Sequence, residues 1–194
     1  MEKNIKEQIE TIIRTHKKMV AEFEADGLET IAAAADTITK VLKQGGRVYI
    51  CGNGGSAADA QHIASELVGR FEHEHKGLAA IALTTDTSVI TSISNDYGFE
   101  NVFAEQVEAL VEKGDILWAI STSGTSANVI AAAELAKKKG ACVLGFTGKS
   151  NSKLEQIADI CVCANEKSTA RSQEIHQLAY HIICGLVERC FTSG

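Results

Sequence analysis

His62 and Glu66 are four residues apart. On a helix that spacing brings an imidazole and a carboxylate to one face. Such a pair suits one cation or one substrate proton. A second group lies near the other end, in Arg171-Ser-Gln-Glu-Ile-His-Gln-Leu-Ala-Tyr-His181. There Glu174 and His181 are seven apart and share a helical stripe. Any one of these histidines alone reads better as a satisfied, partly buried side chain. What points to chemistry is the combination of His, Glu, Gln and His. His73 and His75, in Glu72-His-Glu-His-Lys76, read as a solvated charged turn and stand outside it.

Two loops could supply a phosphate site. The first is Cys51-Gly-Asn-Gly-Gly-Ser-Ala-Ala58, between a short apolar run and a helical stretch. Its glycines let backbone approach a ligand, and the following helix directs amides and a positive dipole end there. Gly52, Gly54 and Ala57 also fit a dinucleotide fingerprint. That fingerprint needs an acidic residue about 20 positions on. The next strand ends near Asp86, more than 30 residues after Gly52, so NAD binding is disfavoured. The second loop is Ser121-Thr-Ser-Gly-Thr-Ser126, five hydroxyls and a glycine. Hydroxyls donate to phosphate without adding charge. The loop lacks the lysine of a Walker A motif, which argues against nucleotide hydrolysis. A plain tight turn and a helix cap at Ser126 are the bland readings of the two loops.

The elements that must position these residues follow from the period of the apolar pattern. Helices are expected over 3–24, with Ile5, Ile9, Ile12, Ile13 and Val20 near one stripe, and over Leu28–Leu42. Strands are expected at Arg47–Cys51, Leu78–Leu83, Asp115–Ile120, Cys142–Phe146 and Ile160–Cys163. Between them lie helices at Ala57–Arg70, Ser88–Ser94, Asn101–Val111, Ala127–Lys139 and Leu154–Ala158, and a last one from Ser172 to Phe191. Short apolar strands alternating with helices predict an α/β fold with a doubly wound parallel sheet in three layers. In such sheets ligands bind beyond the carboxyl ends of the strands, where both loops fall. We read 1–194 as one domain, with 1–44 as an N-terminal helical extension.

Composition removes several function classes. The 194 residues carry a net charge of −6, which disfavours binding to nucleic acid. Residues 1–25 are too charged for the apolar core of a signal peptide. No apolar run approaches the ~18 residues of a membrane span. The six cysteines form no CxxC pair, and buried, reduced thiols in a cytoplasmic protein are expected.

Read together, Cys51–Ser56 with Asp59 and Gln61-His62, then Thr84-Thr-Asp86, Asn95-Asp96, Ser121–Gly124, Ser126-Ala-Asn128, Thr147-Gly148 and Gln173-Glu174 resemble the phosphoheptose isomerases. These belong to the sugar isomerase (SIS) domain group, whose sheet is flavodoxin-like. The resemblance runs in unbroken order over roughly 30–190. It implies conversion of sedoheptulose 7-phosphate to D-glycero-D-manno-heptose 7-phosphate through an enediolate. It implies Glu66 as base and His181 as acid, with His62, Glu66, Gln173 and His181 around a divalent ion, usually zinc, one per subunit. Asn53, Gly54, Gly55, Ser56, Asn95, Asp96, Ser121, Thr122, Ser123, Ser126 and Gln173 would line the sugar phosphate. Ala170 stands where some members have Asp, and Ser172 where a branched apolar residue is more usual. The rival reading is a non-catalytic SIS protein, either a scaffold for a replication initiator or a sugar-phosphate sensor. Those scaffold relatives lack the counterparts of Glu66 and His181, and this chain keeps both. An isomerase for hexose phosphates would share the chemistry and differ in substrate length.

One spacing bears on assembly. Gln173 and His181 are eight residues apart, about 12 Å along a continuous helix. Either the helix starts after Gln173, or the two reach one ion from different copies of the chain. The apolar stripe of the first helix and the wide apolar girth of the last favour the second option. A homo-oligomer is expected, a tetramer as the resemblance implies, with sites at subunit interfaces.

Overall fold

The structure, a computed structural model, describes residues 2–192. Five parallel strands form one sheet: β1 (Val48–Gly52), β2 (Ala80–Ala82), β3 (Ile116–Ser121), β4 (Cys142–Thr147) and β5 (Ile160–Cys163). Their order is β2-β1-β3-β4-β5. The helices are α1 (Glu2–Asp26), α2 (Leu28–Lys43), α3 (Gly55–Val68), α4 (Thr87–Tyr97), α5 (Ala104–Leu110), α6 (Ala127–Lys138), α7 (Lys153–Ile157) and α8 (Thr169–Arg189).

β1 and β3 are buried along their whole length, as apolar runs covered on both faces must be. Alternate side chains feed two cores. Val48, Ile50, Ile116, Trp118 and Ile120 pack with α2, α3 and α8. Tyr49, Cys51, Leu117 and Ala119 pack with α5, α6 and α7 on the other face. The helix α2 is therefore part of a layer. From α1, Met19 is buried and Phe23 packs on the first core, while Ile5, Ile9, Ile12 and Ile13 stay 49–55% exposed.

Several boundaries differ from expectation. β2 keeps only three residues; Leu78 instead bonds back to the Leu67 carbonyl at the end of α3. The expected helix over 101–111 divides into a 3-10 turn at Phe99–Asn101 and α5. α4 starts at Thr87 because the Asp86 carboxylate caps it, accepting from the Val89 amide at 3.0 Å. α8 starts at Thr169, where the Ser172 amide already bonds the Ser168 carbonyl at 2.9 Å. Gln173 and His181 thus share one continuous helix.

All six cysteines are free, and burial pushes the Cys51 thiol up to about 12. Cys190 is exposed, against the expectation of burial. Among the described residues no helix is long and apolar enough to cross a membrane.

Candidate active site

The sheet order changes direction between β1 and β3, which is where ligands bind in folds of this order. Gly52 pairs with Ile120, so the loops after β1 and β3 leave the sheet side by side. Asn53 and Asn128 tie the glycine loop to α6 through a double amide bond. Asn53 Nδ2 donates to Asn128 Oδ1 at 2.8 Å, and Asn128 Nδ2 donates back to Asn53 Oδ1 at 2.9 Å. Gly54 has φ +56° and ψ −121°, a conformation open mainly to glycine.

In the second loop the Ser121 hydroxyl lies 3.0 Å from that of Ser126 and 3.3 Å from that of Ser123. The Ser123 hydroxyl also accepts from the Thr125 amide at 3.2 Å. Gly124 has φ +66°, and a β-carbon there would collide with Ser152 and Thr147. The Thr122 carbonyl accepts from the Gly148 amide at 3.0 Å. Ser126 opens α6 without a side-chain cap bond, which leaves its hydroxyl to the serine cluster. Ser56, at the start of α3, is buried.

His62 and Glu66 project from α3 toward His181 on α8. Glu66 Oε1 lies 2.8 Å from His62 Nε2, and His181 Nε2 lies 3.5 Å from the same atom. One ligand atom from each of the three falls within 4.8 Å of the others, and all three residues are half-buried. Two imidazole nitrogens and a carboxylate oxygen turned to one point suit a divalent cation. The Tyr180 hydroxyl lies 2.9 Å from His62 Nδ1. If Nδ1 donates to it, the Nε2 lone pair is free for a cation. Burial lowers the His181 pKa, with the His62 charge adding to that and Glu66 opposing it. Asp59, one oxygen of which is buried without a partner, is pushed up to about 6 by burial, against His62 and Tyr180.

Gln173 stands apart from these three. Its carboxamide packs on Gly55, where an added β-carbon would meet Cδ at 2.9 Å. Gly55 precedes His62 by seven residues, about 10 Å along α3. Asn95 and Asp96 are exposed near the end of α4 and bond each other at 2.7 Å. No hydrogen bond joins them to either loop or to the cluster among the described residues.

One sequence reading needs correction here, that of His75. Glu174 shares the stripe of His181 but lies two turns away, accepting from His16 Nδ1 at 2.8 Å and pairing with Arg171. His75 does not belong to a solvated turn: its side chain is fully buried, 3.6 Å from Glu188. Ser172 is buried where a β-carbon on Gly148 would meet its hydroxyl at 2.5 Å; its hydroxyl donates to the Glu166 carbonyl, so this close contact suits a small side chain. Sequence reasoning also missed Tyr180, because an apolar helix face gives no sign of what its hydroxyl will meet.

Residues 12–148 match the SIS domain family, and the switch-point loops and the sheet order fit an SIS-domain protein. The chain is 54% identical over 159 residues to the phosphoheptose isomerase of Roseiflexus sp. (strain RS-1), covering 82% of this chain and 81% of that protein. It is 52% identical over 165 residues to the Helicobacter hepaticus phosphoheptose isomerase, covering 84% of each. The solved phosphoheptose isomerase of Neisseria gonorrhoeae superposes with a TM-score of 0.90 at 40% identity, over 95% of this chain and 99% of that one. The chain belongs to the phosphoheptose isomerase family.

Proposed function

We propose that this protein interconverts sedoheptulose 7-phosphate and D-glycero-D-manno-heptose 7-phosphate, with Glu66 and His181 as the proton-transfer groups. The observation that carries the reading is the convergence of His62, Glu66 and His181. Family membership supplies the substrate class.

The chain's own groups match the chemistry. Glu66 takes the proton from C1 of the ketose and leaves an enediolate, whose C2 oxygen then takes a proton from His181. The O1 proton then returns to His181, C2 takes the proton held by Glu66, and the aldose forms. Each group ends as it began. A half-buried carboxylate beside a carbon acid suits the base. His62, Glu66 and His181 would hold the divalent cation, and the nitrogen-rich donor set suits zinc. A cation bound there supplies positive charge for the developing oxyanion. Ser121, Thr122, Ser123 and Ser126 would bind the phosphate, and Asn53, Gly54, Gly55, Ser56, Asn95, Asp96 and Gln173 the sugar.

We read the chain as one SIS domain in the cytoplasm, acting as a homotetramer, with 1–44 as a helical extension. In this reading Gln173 serves the cation site of a neighbouring copy. A non-catalytic scaffold is not favoured, because it would have no use for the meeting of Glu66 and His181. The test is incubation with sedoheptulose 7-phosphate and, separately, with hexose 6-phosphates, the products being resolved by chromatography. Aldose heptose phosphate is expected from the first alone. No product from the heptulose phosphate would overturn the reading.

A further inference from the structure

Glu188 is a carboxylate buried to 1% exposure, two turns beyond His181 on α8. It accepts from the backbone amides of Phe71 at 2.7 Å, Glu72 at 2.9 and 3.1 Å, and His73 at 3.0 Å. The His75 ring lies 3.6 Å from it. One buried side chain thus binds three successive amides of the segment that leaves α3. A buried carboxylate is costly unless satisfied, and here the amides satisfy it.

The first of those amides belongs to Phe71, whose ring lies against His181 with centroids 5.6 Å apart and planes at 25°. The ring also covers Gly185, where an added β-carbon would come within 3.4 Å of it. His181, Gly185 and Glu188 are positions i, i+4 and i+7 of α8, one face of a helix. That face presents an imidazole, a bare seat for a ring, and an anchor for the backbone bearing the ring. The Tyr180 ring also meets His181, its centroid 4.7 Å away and edge-on.

We propose that Glu188 is a positioning residue for the isomerase site. It holds the 71–73 backbone so that the Phe71 ring fixes the His181 imidazole, with Nε2 toward His62 and Glu66. The proposal rests on the site reading above. Outer groups that orient a metal-binding imidazole change affinity or activity by roughly 10–100-fold when removed.

The test is a double-mutant cycle of Glu188→Gln and Phe71→Ala, with Phe71→Tyr as the variant that keeps the ring. For each, kcat and KM with sedoheptulose 7-phosphate, the Kd for zinc alone by chelator competition, and Tm are measured. Each single variant should lose roughly tenfold or more in kcat and in zinc affinity, with KM little changed. The double variant should lose no more than the worse single, because Glu188 acts through Phe71. Phe71→Tyr should stay near wild type. Additive losses overturn the proposal, as does a Glu188→Gln protein with lower Tm but unchanged kcat and zinc affinity. A wild type that binds no zinc overturns it as well. If Glu188→Gln does not fold, Glu188→Asp replaces it in the cycle, retaining the charge with a shorter reach. If the heptulose phosphate is not turned over, the functional reading fails separately, and the zinc cycle still tests the proposal.

Discussion

The carboxamide of Gln173 fills the space that a β-carbon on Gly55 would take. This contact joins the first residue of α3 to the first turns of α8 and places Gln173 beside the glycine loop. Gly55→Ala should therefore displace Gln173. We expect a loss of roughly tenfold in kcat/KM, with Tm lowered by only a few degrees. Steady-state kinetics and a thermal melt measure both, and unchanged kinetics would remove Gln173 from the site.

Glu66→Gln removes the base while keeping the side chain's shape. Turnover should fall by about 10²–10⁴-fold. Far-ultraviolet circular dichroism and protection by inorganic phosphate should be retained, since the serine loop is untouched. Near-normal turnover would remove Glu66 from the role of base.

Ser121→Ala and Ser123→Ala should raise KM more than they lower kcat. Each loses a hydroxyl bond to a charged acceptor, about 1.5–3 kcal/mol. Ser121 should show the larger effect, because its hydroxyl meets those of both Ser123 and Ser126. Competition by inorganic phosphate is the direct check: if phosphate does not compete with substrate, this loop is not the phosphate cradle.

How far the sequence reaches can be seen in particular residues. The switch-point loops and the His62–Glu66 pair were legible because glycine, hydroxyl and i,i+4 signals are local. The place of Glu188 was not, since its partners are backbone amides 115–117 residues away. His75 looked solvated because its neighbours Glu72, Glu74 and Lys76 are charged, yet it turns inward to Glu188. The start of α8 was placed late because Thr169-Ala170-Arg171 has no apolar periodicity of its own.

His176 should make stability depend on pH. It is fully buried, its Nε2 donates to the Thr147 carbonyl at 3.1 Å, and its Nδ1 has no partner. Burial lowers its pKa from 6.5 to about 4, partly offset by the carbonyl. The unfolded chain therefore takes up a proton first as pH falls. The stabilisation is present above the unfolded pKa and is lost between there and the folded value. Between pH 7 and 4.5 the loss should be about 2 kcal/mol. Urea melts should show wild type losing that much more than His176→Phe. Parallel pH profiles would count against it.

The last prediction concerns shared sites. Gln173 and His181 lie on one continuous helix, about 12 Å apart in rise. Gln173 sits beside Gly55, about 10 Å up α3 from His62. The two helices thus carry Gln173 away from the cluster of its own chain by matching steps. A ligand at about 2 Å must come closer than that. The molecule also leaves apolar faces without cover: Ile5, Ile9, Ile12 and Ile13 on α1, and Ile182 and Leu186 on α8 beside His181. A neighbouring copy would bury them and could bring its Gln173 within reach. Sedimentation should then give a mass several times 20.7 kDa. Mixing Glu66→Gln and Gln173→Ala subunits after dissociation should restore part of the activity, because some sites then combine wild-type Glu66 and Gln173. A monomer in solution, or no recovery after subunit exchange has been verified by mass, would exclude the shared site.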